Sequence, residues 1–383
     1  MTQIAGAWLT HAGTQAVLRA LTDGGYAAYL VGGCVRNALL GAPVGDIDIA
    51  TSATPDQTTA CAHSAGLRPI PTGADHGTIT VMAQGRAHEV TTFRADVDTD
   101  GRHAVVRFST CIDEDAQRRD FTMNALYADA DGRVIDPLGG WADVLARRVR
   151  FIGSPHQRLA EDHLRSLRYF RFCAWYGDPD HGFEPDALDA IARNLDGLDG
   201  LSRERVGAEL TKLLTAPDPA PAIAAMSHTG ALGRVLPQTD PRALAPLLHV
   251  EHLYGVPPDA LRRLAVLGWR DGAALRLSRA QSRRLVQMAD LIGQLDPAEA
   301  LSYRHGADMA LDVLLLRAAL LDTPMPQDHA ARIAMGAQAV CPVSARDLMP
   351  DLSGPALGTR LREIESHWIA SGMTLDRAAL LRT

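Results

Sequence analysis

The chain has 383 residues, 46% of them hydrophobic, and a formal net charge of −7. That is enough to bury a sizeable core and too long for one compact domain, so two to four units are expected. The five cysteines are scattered and form no C-x-x-C, which argues against a disulfide framework or a thiolate zinc site; the single lysine, Lys212, lies in no Gly-Lys-Ser/Thr, which excludes a P-loop. No apolar run reaches the roughly 18 residues of a membrane span. The start, MTQIAGAWLTHAGTQ, lacks the basic and apolar regions of a signal peptide, so a cytoplasmic protein is predicted.

The first 140 or so residues read as mixed α/β. Residues 11–24 have a helical pattern ended by DGG. AAYLVGG is a short apolar strand running into a glycine turn, and VRNALLG a helix closed by Gly41. DIDIAT alternates polar and apolar residues as a half-buried strand does. PDQTTACAHSAG is a second helix with Thr54 as N-cap and Pro55 at its first position. GTITVMA, AHEVTTFR and NALYADADGRVIDP follow as strands, the last carrying an Asp-Gly hairpin signal. Between them, residues 95–110 read as a Gly- and Asp-containing loop. From about residue 141 the pattern is helical and rich in Ala, Leu and Arg, with the best internal breaks near 216–221 and 322–326.

The chemistry begins at Asp46 and Asp48. In a strand, residues i and i+2 share a face, so the two carboxylates project together. Their repulsion is relieved by a divalent cation, and Mg2+ is held by one or two carboxylates plus substrate phosphates. Two solvated aspartates at a strand end would look the same, but the upstream segment adds weight. Gly32-Gly33 lies between a strand and a helix, where backbone N–H groups can hold phosphate, and Arg36 follows in the first helical turn. Phosphate binder and metal binder together suit in-line transfer of a nucleotide. Glu89, on a neighbouring strand pattern, is the candidate third carboxylate.

LVGGCVRNALLGAPVGDIDIATSATP closely resembles the head motif of class II tRNA nucleotidyltransferases, the family of CCA-adding enzymes and bacterial poly(A) polymerases. RRDFTMNALYAD (118–129), EDHLRSLRYFRF (161–172) and LSRERVGAELTKLL (201–214) resemble further motifs of that family, in its order. The resemblance covers residues 29–214 and becomes general beyond about 215. It departs at Asn37, where family members usually carry Asp, a position read as structural. It implies an α/β nucleotidyltransferase head, a small mixed sheet with helices, over residues 1–140. An all-α remainder follows as neck (141–220, base recognition), body (221–322) and tail (323–383, tRNA binding). It further implies Mg2+, CTP and ATP, the 3′ end and upper half of tRNA as partner, and no membrane. The sequence carries no signal for oligomeric state.

The third motif has its own chemical reading. Asp162, Arg165, Arg168 and Arg171 recur every three residues, fanning around one side of a predicted helix, beside an apolar stripe of Leu164, Leu167, Phe170 and Ala174. Cytosine and adenine each present an amino donor beside a ring-nitrogen acceptor; an aspartate accepts from the first and an arginine donates to the second. Guanine and uracil present the reverse. The resemblance assigns this task to Asp162 and Arg165. It gives Arg168, Arg171 and Arg119 to the nucleotide as well, through triphosphate and sugar. The loop 95–110 resembles the family's flexible loop, which favours full CCA addition. The alternatives are a poly(A) polymerase, an enzyme adding only A to tRNA, or a catalytically idle tRNA- or nucleotide-binding protein. The short, weakly basic HWIASGMTLDRAALLRT argues against the first of these, and the intact Asp46, Asp48, Arg36, Asp162 and Arg165 against the last. GGCVRNALLG lacks the G-x-G-x-x-G of a dinucleotide-binding oxidoreductase, and no His-Asp dipeptide marks a metal phosphohydrolase. His249 and His252 are read as loop or helix-surface residues.

Overall fold

A computed structural model describes residues 2–100, 103–349 and 351–382. The chain forms two compact units, Met1–Pro237 and Gln238–Thr383. The first begins with α1 (Ala12–Asp23), β1 (Ala28–Val31) and α2 (Gly33–Leu39). Gly32 caps α2 at φ +71°, ψ −121°, a conformation that only glycine adopts without strain. β2 (Ile47–Thr51) buries Ile47 and Ile49 on one face and turns Asp48 to the other. α3 (Pro55–Ser64) opens with a capping box. The Thr54 hydroxyl accepts from the Gln57 N–H, while the Gln57 side chain accepts from the Thr54 N–H.

Next come β3 (Arg68–Gly73), β4 (Thr78–Ala83), β5 (Arg86–Thr92), β6 (Arg94–Asp100) and β7 (His103–Phe108). α4 (Ile112–Gln117), β8 (Tyr127–Ala128) and β9 (Val134–Ile135) complete the α/β part. The main sheet has seven strands in the order β3-β4-β5-β2-β1-β8-β9, and β6 and β7 form a separate pair. β2 and β5 run parallel, which places Asp48 beside Glu89 in register. The remaining pairs of the main sheet are antiparallel.

From Gly140 the first unit is helical: α5 (Gly140–Leu145), α6 (Pro155–Glu161), α7 (Leu164–Tyr176), α8 (Pro185–Arg193), α9 (Arg203–Leu214), α10 (Ala220–Thr229) and α11 (Ala231–Val235). α7 is fastened to the segment before β8 by aromatic packing. The Phe121 ring lies 4.8 Å from Phe172 and 6.2 Å from Tyr169, and Tyr169 stacks on Phe151 at 5.5 Å. Such pairs add to the stabilisation already provided by area burial.

The second unit comprises α12 (Leu244–Leu253), α13 (Ala260–Val266), α14 (Arg279–Ile292), α15 (Ala298–His305), α16 (Ala307–Leu321), α17 (His329–Gln338), α18 (Ala345–Leu348), α19 (Gly354–Ala370) and α20 (Arg377–Arg382). Its interior contains an ionic network, buried at Glu251, Arg262, Arg263 and Asp312 and partly exposed at Arg284 and Asp259. Glu251 takes Arg262 at 2.7 Å and Arg263 at 2.7 Å; Arg262 also takes Asp312 at 2.8 Å; Arg284 joins Asp312 at 2.6 Å and Asp259 at 2.8 Å. His249 and His252 flank Glu251 on α12 and are exposed. Among the described residues, no helix is long and apolar enough to cross a membrane.

Three expectations need correction. Asp162 is not on a helix with Arg165, Arg168 and Arg171: it ends α6 in an extended conformation, φ −156°, ψ 105°, and α7 starts only at Leu164. Asp46 lies just before β2 rather than in it. The stretch 95–110 is largely a β-hairpin, with residues 101–102 of the expected loop outside the described residues. In addition, β3 went unread in the sequence.

Candidate active site

The glycine turn is where the head's charged groups converge. A Cβ on Gly32 would lie 3.6 Å from Arg119 Nη1, and one on Gly33 3.7 Å from Arg36 Nη2. Two guanidinium groups thus bracket a turn that has no side chains of its own. Arg119 is set by Asp115, which is fully buried and accepts from Arg119 Nη2 at 2.9 Å, Arg118 Nε at 2.8 Å and the Tyr127 hydroxyl at 2.7 Å. Burial by itself would lower the Arg119 pKa, but Asp115 and Tyr127 outweigh it and raise the value. Asp115 was not singled out in the sequence, where it stands in the acidic run IDEDAQ with nothing to distinguish it.

Arg36 is only 5% exposed. Its Nη1 donates to Asn124 Oδ1 at 2.5 Å, and its Nε and Nη2 donate to Asn37 Oδ1 at 3.1 and 2.9 Å. Its guanidinium stacks 3.8 Å from the Tyr176 ring and 5.1 Å from that of Phe172, both on α7. Burial lowers its pKa. Asn37 also donates from Nδ2 to the Pro43 carbonyl at 2.8 Å, a bond an ionised aspartate could not make. Asn37 therefore ties the arginine to the loop that leads into β2. A cation–π contact on this desolvated group is worth about 0.5–2 kcal/mol. Accordingly, Tyr176→Leu lowers the melting temperature by a few degrees and Tyr176→Phe restores it, as measured by circular dichroism. An equal loss in both variants would remove the ring face as the cause.

Asp48 and Glu89 are register neighbours on parallel strands. Burial, then the Glu89 carboxylate, push the Asp48 pKa up to about 6, with Asp46 adding to the rise and Arg119 opposing it. Asp48 is partly buried, and Asp46 and Glu89 are exposed. No described residue makes a hydrogen bond or ion pair to any of these three carboxylates. Repelling acidic groups with no described protein cation in contact have the donor chemistry of a divalent-metal site, so the residues fit such an ion. Among the described residues no set of three or more His, Cys, Asp or Glu is arranged to hold a metal on its own. That suits an ion whose remaining ligands come from substrate and water.

The arginines of α7 are held by carboxylates distant in sequence. Arg168 Nε donates to Asp120 Oδ2 at 2.8 Å, and Arg171 Nε to Glu209 Oε2 at 2.5 Å. Burial would raise the Asp120 pKa, but Arg168, Asn124 and the Phe121 N–H together hold it at about 2. Asn124 joins the two halves, because it also donates to Asp120 Oδ1 at 3.0 Å. Hydrogen bonds therefore run unbroken from Asn37 through Arg36, Asn124 and Asp120 to Arg168. Phe172 lies beneath three guanidinium groups, those of Arg36, Arg168 and Arg171.

The side chains of Asp162 and Arg165 make no hydrogen bond to each other, although the Arg165 N–H donates to the Asp162 carbonyl at 3.0 Å; each side chain has its own support. Asp162 Oδ2 accepts from Arg205 Nη2 at 2.6 Å and Oδ1 from the Leu164 N–H at 3.1 Å. Arg165 pairs with Glu161 and donates to the main-chain carbonyls of Arg158 at 3.1 Å and Arg118 at 3.2 Å. Of the five guanidinium N–H groups of Arg165, two have no partner among the described residues.

A Gly-Gly turn bracketed by arginines, beside carboxylates on adjacent central strands, defines a nucleotidyltransferase head with a helical remainder. Residues 28–150 match the family described as "Poly A polymerase head domain", and residues 182–242 "Probable RNA and SrmB- binding site of polymerase A". The CCA-adding enzyme of Bacillus licheniformis is 31% identical over 95% of this chain and 92% of its own length. The mitochondrial CCA tRNA nucleotidyltransferase 1 of Mus musculus is 46% identical over 49% of this chain, a match spanning 43% of the mouse protein and so less than half its length. The crystal structure of the Bacillus stearothermophilus CCA-adding enzyme in complex with CTP superimposes with a TM-score of 0.73 at 29% identity, covering 94% of this chain and 93% of that one. The chain belongs to the class II tRNA nucleotidyltransferase family, that of the CCA-adding enzymes and bacterial poly(A) polymerases. Nucleotidyltransferases of this family use divalent metal ions.

Proposed function

We propose that this protein is a template-independent RNA nucleotidyltransferase that adds C, C and A to the 3′ end of tRNA from CTP and ATP. The observation that carries the reading is the Asp48–Glu89 register pair, where repulsion and burial hold Asp48 near 6 beside a glycine turn flanked by Arg36 and Arg119. The relatives named CCA-adding enzymes support the substrate assignment. In this reading residues 1–140 catalyse, 141–220 read the base, 221–322 form a body and the tail 323–383 contacts tRNA.

Asp46 and Asp48 are the residues that hold metal, with Glu89 beside them, and Mg2+ is the ion proposed. The bound ion supplies charge neutralisation and Lewis acidity at the α-phosphate. The Gly32–Gly33 backbone and Arg119 take the triphosphate, with Arg36 held just behind the turn. Arg168 and Arg171 lend positive potential from α7 while Asp120 and Glu209 fix their direction. Asp162 accepts from the amino group of cytosine or adenine, and the free N–H groups of Arg165 donate to the ring nitrogen. A base with the reversed edge leaves both protein groups mispaired, at about 1–3 kcal/mol each.

The test is primer extension on a tRNA lacking its terminal CCA, with each NTP alone and in combination. Growth by C, C and A, then arrest, is the expected result. Runs of A would support the poly(A) alternative, and A added only after CC an A-adding enzyme. The same assay checks the base code. Giving position 162 a donor and position 165 an acceptor should shift relative incorporation toward UTP or GTP by one to two orders of magnitude, since a bidentate base contact is worth about 1–3 kcal/mol. An unchanged preference for CTP and ATP would place base reading elsewhere.

A further inference from the structure

The chain crosses from α6 to α7 through Asp162 and His163. Asp162 is extended, whereas His163 has helical angles, φ −61° and ψ −19°, and its carbonyl accepts from the Ser166 N–H at 3.1 Å. The direction of the Asp162 carboxylate therefore depends on how this joint is held. The backbone bonds at the joint are local, joining Asp162 to Arg158 and Arg165, and His163 to Ser166.

The His163 ring makes a contact of a different kind. A Cβ on Gly197 would fall 2.1 Å from His163 Nδ1 and 2.2 Å from both Cγ and Cε1, far inside van der Waals contact. Three nearly equal distances put that point over the face of the imidazole, so the ring rests on the bare Cα of the glycine. Gly197 is not in the left-handed region, so space and not backbone conformation calls for glycine here. It sits in a short 3-10 turn, Leu195–Gly200, between α8 and α9. That turn is anchored: Leu198 is buried, and Arg234 of α11 pairs with Asp196 at 2.5 Å and Asp199 at 2.9 Å, on either side of Gly197. The Nδ1 atom of His163 is buried and has no hydrogen-bond partner among the described residues. Such burial costs stability, which a residue serving packing alone would avoid. Without a hydrogen bond on that nitrogen, contact sets the ring's place, and Gly197 is the surface it meets.

We propose that His163, seated on Gly197, is a positioning residue for base selection: the ring props the Asp162–His163 joint at the angle from which the Asp162 carboxylate meets the amino group of the incoming base. The inference rests on the base-reading role given to Asp162 above. Arg205 steadies the carboxylate itself from α9, whereas the ring steadies the backbone that carries it.

The experiment compares H163A, H163F, G197A and H163A/G197A in single-nucleotide extension of a tRNA lacking its CCA end. It reads kcat and KM for CTP and the preference for CTP over UTP, with circular dichroism melting to show that each variant is folded. H163A and G197A should each lower the preference about tenfold through a raised KM for CTP, with kcat nearly kept, because a misaimed base contact is lost equally from ground and transition states. H163F keeps a flat ring and should retain the preference. The double variant should lose no more than H163A alone, since without the ring the added methyl has nothing to displace. A common fall for both nucleotides with the preference unchanged would reduce the contact to packing and overturn the inference. So would additive losses in the double variant, or a loss in H163F equal to that in H163A. D162A, assayed alongside, separates the two levels: an unchanged preference there would overturn the base-reading assignment itself.

Discussion

Asp46→Ala and Asp48→Ala each abolish nucleotide transfer while the protein remains folded. The expected loss is about 10³-fold or more, because the metal's transition-state stabilisation is worth several kcal/mol and each 1.36 kcal/mol is tenfold in rate. Transfer of labelled CMP to a tRNA lacking its end measures it, and near-normal turnover in either variant would remove the carboxylates from the metal role. Asp48→Asn carries a second expectation, of opposite sign for stability. The Asp48 pKa is raised to about 6 by burial and by Glu89, so its ionised form is a cost to the folded state. Between the unfolded value near 4 and about 6, the folded protein binds more protons, and stability falls as pH rises through that window. Asn removes the cost. In chelator-containing buffer at pH 8 the variant should therefore be more stable by about 1–2 kcal/mol, a figure reduced from the full shift because the group is partly exposed. The advantage should vanish toward pH 4. A variant no more stable than the parent at pH 8 would show that the carboxylate is relieved by something other than metal.

Glu251→Ala produces the largest stability loss expected anywhere in the second unit. Glu251 is 2% exposed and serves two buried arginines. Removing it leaves Arg262 relying on Asp312 and the Pro257 carbonyl, and takes the carboxylate from Arg263. Breaking a buried pair from one side costs about 3–5 kcal/mol, because a desolvated charge is left uncompensated. The six network side chains carry three charges of each sign, so replacing them all with apolar residues of similar volume would be far milder than this single change. Urea unfolding of the full chain checks it; a loss below about 1 kcal/mol would mean that water reaches the network.

Local signals were legible in the sequence where the physics is local. Thr54 and Pro55 marked the start of α3, and Asp131-Gly132 marked the β8–β9 turn, where the Gly132 N–H bonds the Asp129 carbonyl. Gly32 marked the turn at the site. β3 escaped because RPIPTG holds two prolines and shows neither a buried face nor clean alternation, as an edge strand can. The break at Asp162 escaped for another reason. EDHLRSLRYF contains no glycine or proline, so nothing local interrupts a helix; the bond from Arg205, 43 residues away, accompanies the turn. The same limit hid Asp115, Asp120 and Glu209. The arginines were readable as a charged series, but Arg168 meets Asp120 from 48 residues away and Arg171 meets Glu209 from 38. Spacing along a chain shows which side chains share a face, but not what faces them.

Arg165 takes two of its three supports from main-chain carbonyls, those of Arg158 and Arg118. A carbonyl oxygen is supplied by any amino acid. Substitutions at 118 or 158 can disturb Asp115 or Glu161, which their side chains contact, but they cannot delete the two grips on Arg165. The aim of the proposed base-reading arginine is therefore buffered against genetic drift at the positions that hold it. Its mutational weak points reduce to Glu161 and to Arg165 itself. A library varied at 118 and 158 should yield enzymes that differ in stability and speed yet choose the same two nucleotides.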